Sequence, residues 1–257
     1  MLPTPTTLLL LVAVAFLSGV GITAVGPGGI FVTVALFALT NEPSATVAGT
    51  AMSTFVFTGL LGSYTYYRSG ELRTRSGKRL AALVTVPSVV GAVVGALVNT
   101  TISDAVFGAL LTGFTVLSGV SIVYRERRTV GSRWSFPADS AVGIAVFVGV
   151  GFGVGVLGGL LGVGGPVIAV PVLVVLGVSM LDALAAAQVQ SVFLSAFAAT
   201  TYVLQGAVSL PLALAIGVPE LVGVIAGWRV AHRVDPSRLK VALGGTLVAA
   251  GIVLTAT

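Results

Sequence analysis

Apolar residues run in long blocks along this chain, and polar positions are confined to short breaks between them. The blocks cover residues 5–40, 44–66, 79–98, 103–124, 138–178, 182–204, 208–230 and 236–256. They are continuous rather than alternating, which argues against strands. Most reach the roughly twenty residues that a helix needs to cross a bilayer. The pattern predicts an all-α integral membrane protein.

Two blocks, 5–40 and 138–178, exceed a single crossing and carry helix breakers in their interior. The stretch "LLGVGGPVIAVPVLV", Leu160 to Val174, has no charged residue and no side-chain amide, yet holds three glycines and two prolines, the poorest helix formers. "ITAVGPGGIFVTV", Ile22 to Val34, repeats the feature. The chain is expected to turn inside the membrane at both places. Each long block then forms a broken helix pair or a re-entrant hairpin, since at about 1.5 Å rise per residue it holds two helices of modest length.

The recurrence belongs to a wider duplication. "VPSVVGAVVGALV", Val86 to Val98, aligns with "VPELVGVIAGWRV", Val218 to Val230, pairing Pro87 with Pro219, Gly91 with Gly223 and Gly95 with Gly227. The same register pairs Gly113 with Gly245 and Gly119 with Gly251. Upstream, with small gaps, "GPGG" at Gly26 lies over "GVGG" at Gly162, Ser53 over Ser191 and Tyr64 over Tyr202. Residues 1–128 and 129–257 are read as two membrane repeats within one compact transmembrane domain. The scattered glycines 91, 95, 223 and 227 are read as close-packing positions between helices.

Composition agrees: 56% of residues are hydrophobic and 8% charged, where about 25% charged is ordinary for soluble chains. A net charge of +5 would suit nucleic acid, but the basic residues sit in short loops, where they set membrane orientation instead. Loops 68–79, 125–133 and 229–240 carry them and are expected on the cytoplasmic side. Their counterparts in the other repeat, "NTTISD" at Asn99 and "QGAVS" at Gln205, have no Lys or Arg. Corresponding loops therefore face opposite sides, which predicts inverted repeats. Each would hold three transmembrane helices plus a broken pair that enters and leaves on one side.

The first Lys or Arg is Arg68, so residues 6–25 lack the basic start of a signal peptide and are read as a retained span. The absence of cysteine excludes disulfides, zinc–thiolate sites and thiol catalysis. No metal-ligand spacing, catalytic triad or dinucleotide motif occurs, and the glycine-rich run before Gly164 lacks the Lys-Ser/Thr ending of a phosphate loop. No enzyme, metal or cofactor is expected.

A helix that starts inside a bilayer presents free N–H groups and the positive end of its dipole. Two such starts, converging near mid-membrane from inverted halves, would hold a small anion without a buried arginine. The candidates are Gly26, Gly28, Gly29, Gly162, Gly164 and Gly165 for their backbone. Thr50 and Ser53 in "AGTAMSTF", and Gln188 and Ser191 in "AAAQVQSVF", add side-chain donors. Interhelical hydrogen bonding is the competing reading of those four.

Tyr64 and Tyr202, near span ends, are expected in the interfacial aromatic belt. Glu220 falls mid-span after Pro219, with Ser88 as its repeat mate; an intramembrane carboxyl is costly and marks a proton-coupling candidate or a cation ligand, with a protonated or Arg-paired structural carboxyl as the competing reading. Glu42, Asp104, Asp139, Asp182 and Asp235 sit at span ends, where capping or solvation explains them, and His232 lies in a basic loop.

The duplicated layout, the break "GLLGVGGPVIAVPVLV" after "FGVGVLG", the downstream "ALAAAQVQSVF" and the closing "VPELVGVIAGWRVAHRVDPSRLKVALGGTLVAAGIVL" together resemble the sulfite exporter TauE/SafE family over essentially the whole chain. The resemblance implies secondary transport of small sulfur-containing anions, such as sulfite or organosulfonates, across the cell membrane. The partners expected are that anion, the lipid bilayer and, as an open case, a second copy in a homodimer; nucleic acid is not among them. An anion-conducting channel and a non-transporting membrane assembly subunit are the alternatives.

Overall fold

The computed structural model of the protein describes residues 3–128, 136–137, 139–231 and 236–254. Among these residues there is no strand. The first half forms α1 (Pro5–Ala24), a 3-10 turn (Pro27–Gly29), α2 (Ile30–Leu39), α3 (Ser44–Ser69), a second 3-10 turn (Glu71–Arg73), α4 (Arg75–Asn99) and α5 (Asp104–Arg128). The second forms α6 (Ala141–Leu161), α7 (Gly165–Val175), α8 (Met180–Leu204), α9 (Leu210–Ala231) and α10 (Pro236–Leu254).

Seven of these helices are long and apolar enough to cross a membrane: α1, α3, α4, α5, α6, α8 and α9. The chain is a multi-pass membrane protein. Both over-long apolar blocks are interrupted where the glycines fall. In each, a full-length helix of 20 or 21 residues is followed by one of 10 or 11. At about 1.5 Å per residue the first member reaches roughly 30 Å and the second about half that. The broken pair is thus a helix long enough to cross a membrane followed by one of about half that length.

Small residues let the backbones approach closely, and the order of their contacts gives the helix directions. Gly151, Gly155 and Gly159 of α6 face Val84, Ser88 and Ala92 of α4 in ascending order, so these two helices run parallel. Gly19 of α1 likewise meets Glu220 and Val224, and Gly227 of α9 meets Val20 and Thr23, making α1 and α9 parallel. In contrast, Gly49 of α3 meets Tyr202 of α8 while Gly62 meets Gln188, an antiparallel pair. Helices α5 and α10 are antiparallel too, with Gly119 against Gly244 and Gly251 against Val116. Along these seams Gly91 and Gly95 (α4) and Gly223 and Gly227 (α9) sit directly on neighbouring backbone.

The carboxylates at span ends include two caps. Ser179 and Asp182 close the start of α8, the serine Oγ accepting the Asp182 N–H at 3.2 Å and its hydroxyl donating to Oδ2 at 2.7 Å. Asp104 crosses to another helix, accepting the Ser44 N–H at the start of α3 at 2.8 Å, where a negative charge also meets the positive end of the helix dipole. Residues 129–133 of the loop joining the halves, together with His232, Arg233 and Asp235, lie outside the described residues.

Candidate functional site

The second break forms because Gly162 ends α6 in a left-handed conformation, φ +66°. The carbonyls of a last helical turn need donors from elsewhere, and three helices supply them here. The Tyr202 hydroxyl of α8 donates to Gly159 O at 2.7 Å, the Asn99 amide at the end of α4 to Leu160 O at 2.6 Å, and the Thr33 hydroxyl of α2 to Gly162 O. Tyr202 therefore departs from the interfacial position expected of it: it is fully buried, because its ring packs on Gly49 of the antiparallel α3. Tyr64, its repeat mate, is exposed, with the Arg68 guanidinium 6.0 Å from its ring centre. Beyond the break α7 starts at Gly165 with Gly164 as its cap residue and Pro166 in its first turn.

At the first break, the Val25 and Gly26 N–H groups both donate to Gly21 O at 3.0 Å, and Gly26 takes φ +107°. The chain then doubles back along α1. Gly28 lies so close that a Cβ there would come within 2.3 Å of Ile22 N, and the Ser18 hydroxyl donates to Gly28 O at 2.9 Å. Pro27–Gly29 run as a 3-10 turn directly into α2.

The two breaks meet. Gly26 and Gly29 from the first, and Gly164 and Pro166 from the second, line one cavity together with Ile22, Phe55, Thr58, Val167 and Ser191. It is narrow and partly open, with room for about one water. The walls are apolar apart from backbone and the hydroxyls of Thr58 and Ser191. Two helix starts from different halves thus face a common interior space, and helix starts carry N–H groups without intrahelical acceptors.

The other candidates lie elsewhere. Gly28 is packed behind the wall against α1, and Gly162 against Ala48, its turn serving the break rather than the cavity. Gly165 backs onto the α8 backbone at Ala187 and Ser191. Thr50 is buried and its Oγ1 accepts the Ser209 N–H at 3.0 Å, holding the α8–α9 turn to α3. The Ser53 hydroxyl donates to Gly49 O one turn back at 2.8 Å. Gln188 is fully buried against Gly62, and neither end of its amide has a hydrogen-bond partner among the described residues.

Sequence reasoning passed over Phe55 and Thr58 of the cavity wall. Their position one and two turns beyond Thr50 was visible, but nothing in the sequence gave the depth at which the breaks would stand. Glu220 is fully buried in α9, facing the hydroxyls of Ser18 and Thr54; it does not line the cavity.

A family model described as "Sulfite exporter TauE/SafE" matches residues 11–254. The chain belongs to this family. It is 26% identical, over 253 residues covering 96% of this chain and 99% of the relative, to the Bacillus subtilis (strain 168) protein named "Probable membrane transporter protein YdhB". No solved structure matches the chain. The family is one of membrane transporters.

Proposed function

We propose that the protein is a secondary transporter of small anions, of the sulfite, organosulfonate or related sulfur-oxyanion class, and that the anion binds between the two breaks. The observation that carries this is the shared cavity, into which Gly26, Gly29, Gly164 and Pro166 bring the starts of α2 and α7. A buried anion needs donors that do not have to be reorganised. Backbone N–H groups at these two starts and the Ser191 hydroxyl are such donors; the Thr58 hydroxyl, which donates to Phe55 O at 3.2 Å, would join them only by turning. The family description and the printed name of the Bacillus relative favour the same class. In the arrangement described the cavity has room for little more than a single water, so binding an oxyanion requires the walls to part.

Residues 1–128 and 129–257 are proposed as inverted repeats. The antiparallel packing of α3 on α8 and of α5 on α10, each pair occupying equivalent places in the two halves, supports that relation. With repeats so inverted, the basic segments around 68–79, 125–133 and 229–240 would share one end of the bundle, proposed as cytoplasmic. An inside-negative potential would drive an anion moving alone outward by about 2.3 kcal/mol per charge per 100 mV, so it is import that would need a coupled ion such as a proton.

The test is uptake into proteoliposomes of sulfite, thiosulfate, taurine, sulfoacetate and chloride, with and without a pH gradient. Saturable uptake of one or more sulfur anions, with chloride excluded, is the expected result. Unsaturable conductance would instead make it a channel, and no flux of any anion would make it an assembly subunit.

A further inference from the structure

Glu220 is enclosed where α9 packs on α1 and α3, and neither of its carboxyl oxygens is hydrogen-bonded among the described residues. Two hydroxyls face it, Ser18 on α1 and Thr54 on α3. Each gives its proton elsewhere: Ser18 to Gly28 O at 2.9 Å, and Thr54 to Ala51 O at 2.9 Å. Among the described residues no cation pairs with the carboxyl. Helix α1 carries no titratable side chain; those of α3 are Tyr64, Tyr66, Tyr67 and Arg68, about three turns or more beyond Thr54. On α9 itself Arg229 is more than two turns away.

A carboxylate so placed, with no donor and no counter-charge, is among the costliest groups a protein can bury. The observed hydrogen bonds therefore suit the neutral acid. A hydroxyl has one proton to donate and can rotate, so both Ser18 and Thr54 have a second destination, the carboxylate itself.

We propose that Glu220 carries the coupling proton of transport, and that Ser18 is the positioning residue that passes its state to the first break. With the proton on Glu220, Ser18 ties Gly28 O to α1, as observed. When the proton leaves to water, the Ser18 and Thr54 hydroxyls turn onto the carboxylate and Gly28 O loses its donor. The wall of the cavity beside Gly29 is then free to move. The proton is taken from water on one side and returned to water on the other, and only O–H bonds form and break. A proton fits this place better than a sodium ion, which needs several oxygens around it, because neither carboxyl oxygen has free space beside it.

The repeat mate Ser88, whose hydroxyl donates to Thr85 O at 2.7 Å, has no carboxyl to switch. One half therefore carries the device, and one proton moves per cycle. The word "coupling" rests on the transporter reading above; the switch between Glu220 and Gly28 does not.

The experiment is infrared difference spectroscopy against pH on the protein in lipid, beside sulfite uptake by the same preparations. Wild type should show a protonated carboxylic-acid carbonyl band that fades as pH rises, and Glu220→Gln should lack it. Ser18→Ala removes a donor to the carboxylate, so the band should persist to a pH higher by about one to two units, with the pH profile of sulfite uptake moving alongside. Thr54→Val should do the same and stands in if Ser18→Ala does not fold.

The proposal is overturned if Glu220→Gln keeps the band, if both hydroxyl variants fold and leave its midpoint in place, or if sodium at fixed pH abolishes the band in wild type. A band that behaves as expected without sulfite uptake would overturn the transporter reading and keep the switch. Sulfite uptake whose pH profile is unchanged in Glu220→Gln would keep the transporter and overturn the proton coupling.

Discussion

The hydroxyl of Thr33, on α2 in the first half of the chain, donates to the carbonyl oxygen of Gly162 at the break of the second half. Both residues are buried, so the bond has no water to replace it. It ties the return helix of one broken pair to the turn of the other, and so helps hold the two helix starts at one cavity.

Thr33→Val keeps the shape and leaves Gly162 O without its donor. The expected loss of stability is about 1–3 kcal/mol, the cost of stranding a buried polar group. Denaturant unfolding in detergent measures it, and an unchanged midpoint would show that the tie contributes nothing.

The glycines of the breaks are predicted to differ in what they tolerate. A Cβ at Gly28 would come within 2.3 Å of Ile22 N, which is backbone and cannot give way. At Gly164 the nearest atom would be Ser191 Oγ at 3.4 Å, an ordinary contact. Gly28→Ala should therefore fail to yield stable protein, whereas Gly164→Ala should fold with a smaller cavity. Equal yields and equal thermal midpoints for the two would contradict the packing described at the first break.

Much of this arrangement was legible in the sequence, and the reason is local. Gly26–Gly29 and Gly162–Pro166 stand inside apolar runs too long for one crossing, so the poor helix formers could only mark interruptions. Polar breaks near 40–43, 100–103 and 205–209 bounded the remaining helices for the same reason. What was not legible depends on which helices become neighbours. Tyr202 is buried because an antiparallel α3 offers Gly49 beneath its ring; Thr50 is occupied because the α8–α9 turn brings Ser209 to it. Glu220 could be singled out as a lone intramembrane carboxyl, but its facing hydroxyls come from α1 and α3, far away in the chain.

The cavity hydroxyls should act on affinity. Ser191→Ala removes one donor to a bound anion, Thr58→Val removes one that turns from Phe55 O to reach it, and a hydrogen bond to a charged group contributes about 1.5–3 kcal/mol. Each should raise the KM for sulfite uptake about tenfold or more, with kcat less affected. An unchanged KM in both variants would place the anion elsewhere.

The inverted relation of the halves can be tested because the chain has no cysteine. Ser76→Cys, at the exposed start of α4, and Gln205→Cys, at the end of α8, flank corresponding connections of the two halves and should react with a membrane-impermeant thiol reagent from opposite sides of the membrane. Labelling of both from one side would show that the repeats share one orientation.

The central claim is that the two breaks form one anion site, and sulfite uptake by Gly164→Leu beside wild type in matched proteoliposomes tests it most directly. Leucine at this position projects into the cavity beside Ser191 and Phe55, so uptake should be lost in protein that still inserts in the membrane, with the thermal midpoint lowered by the overpacking. Undiminished, saturable uptake by the leucine variant would contradict the account.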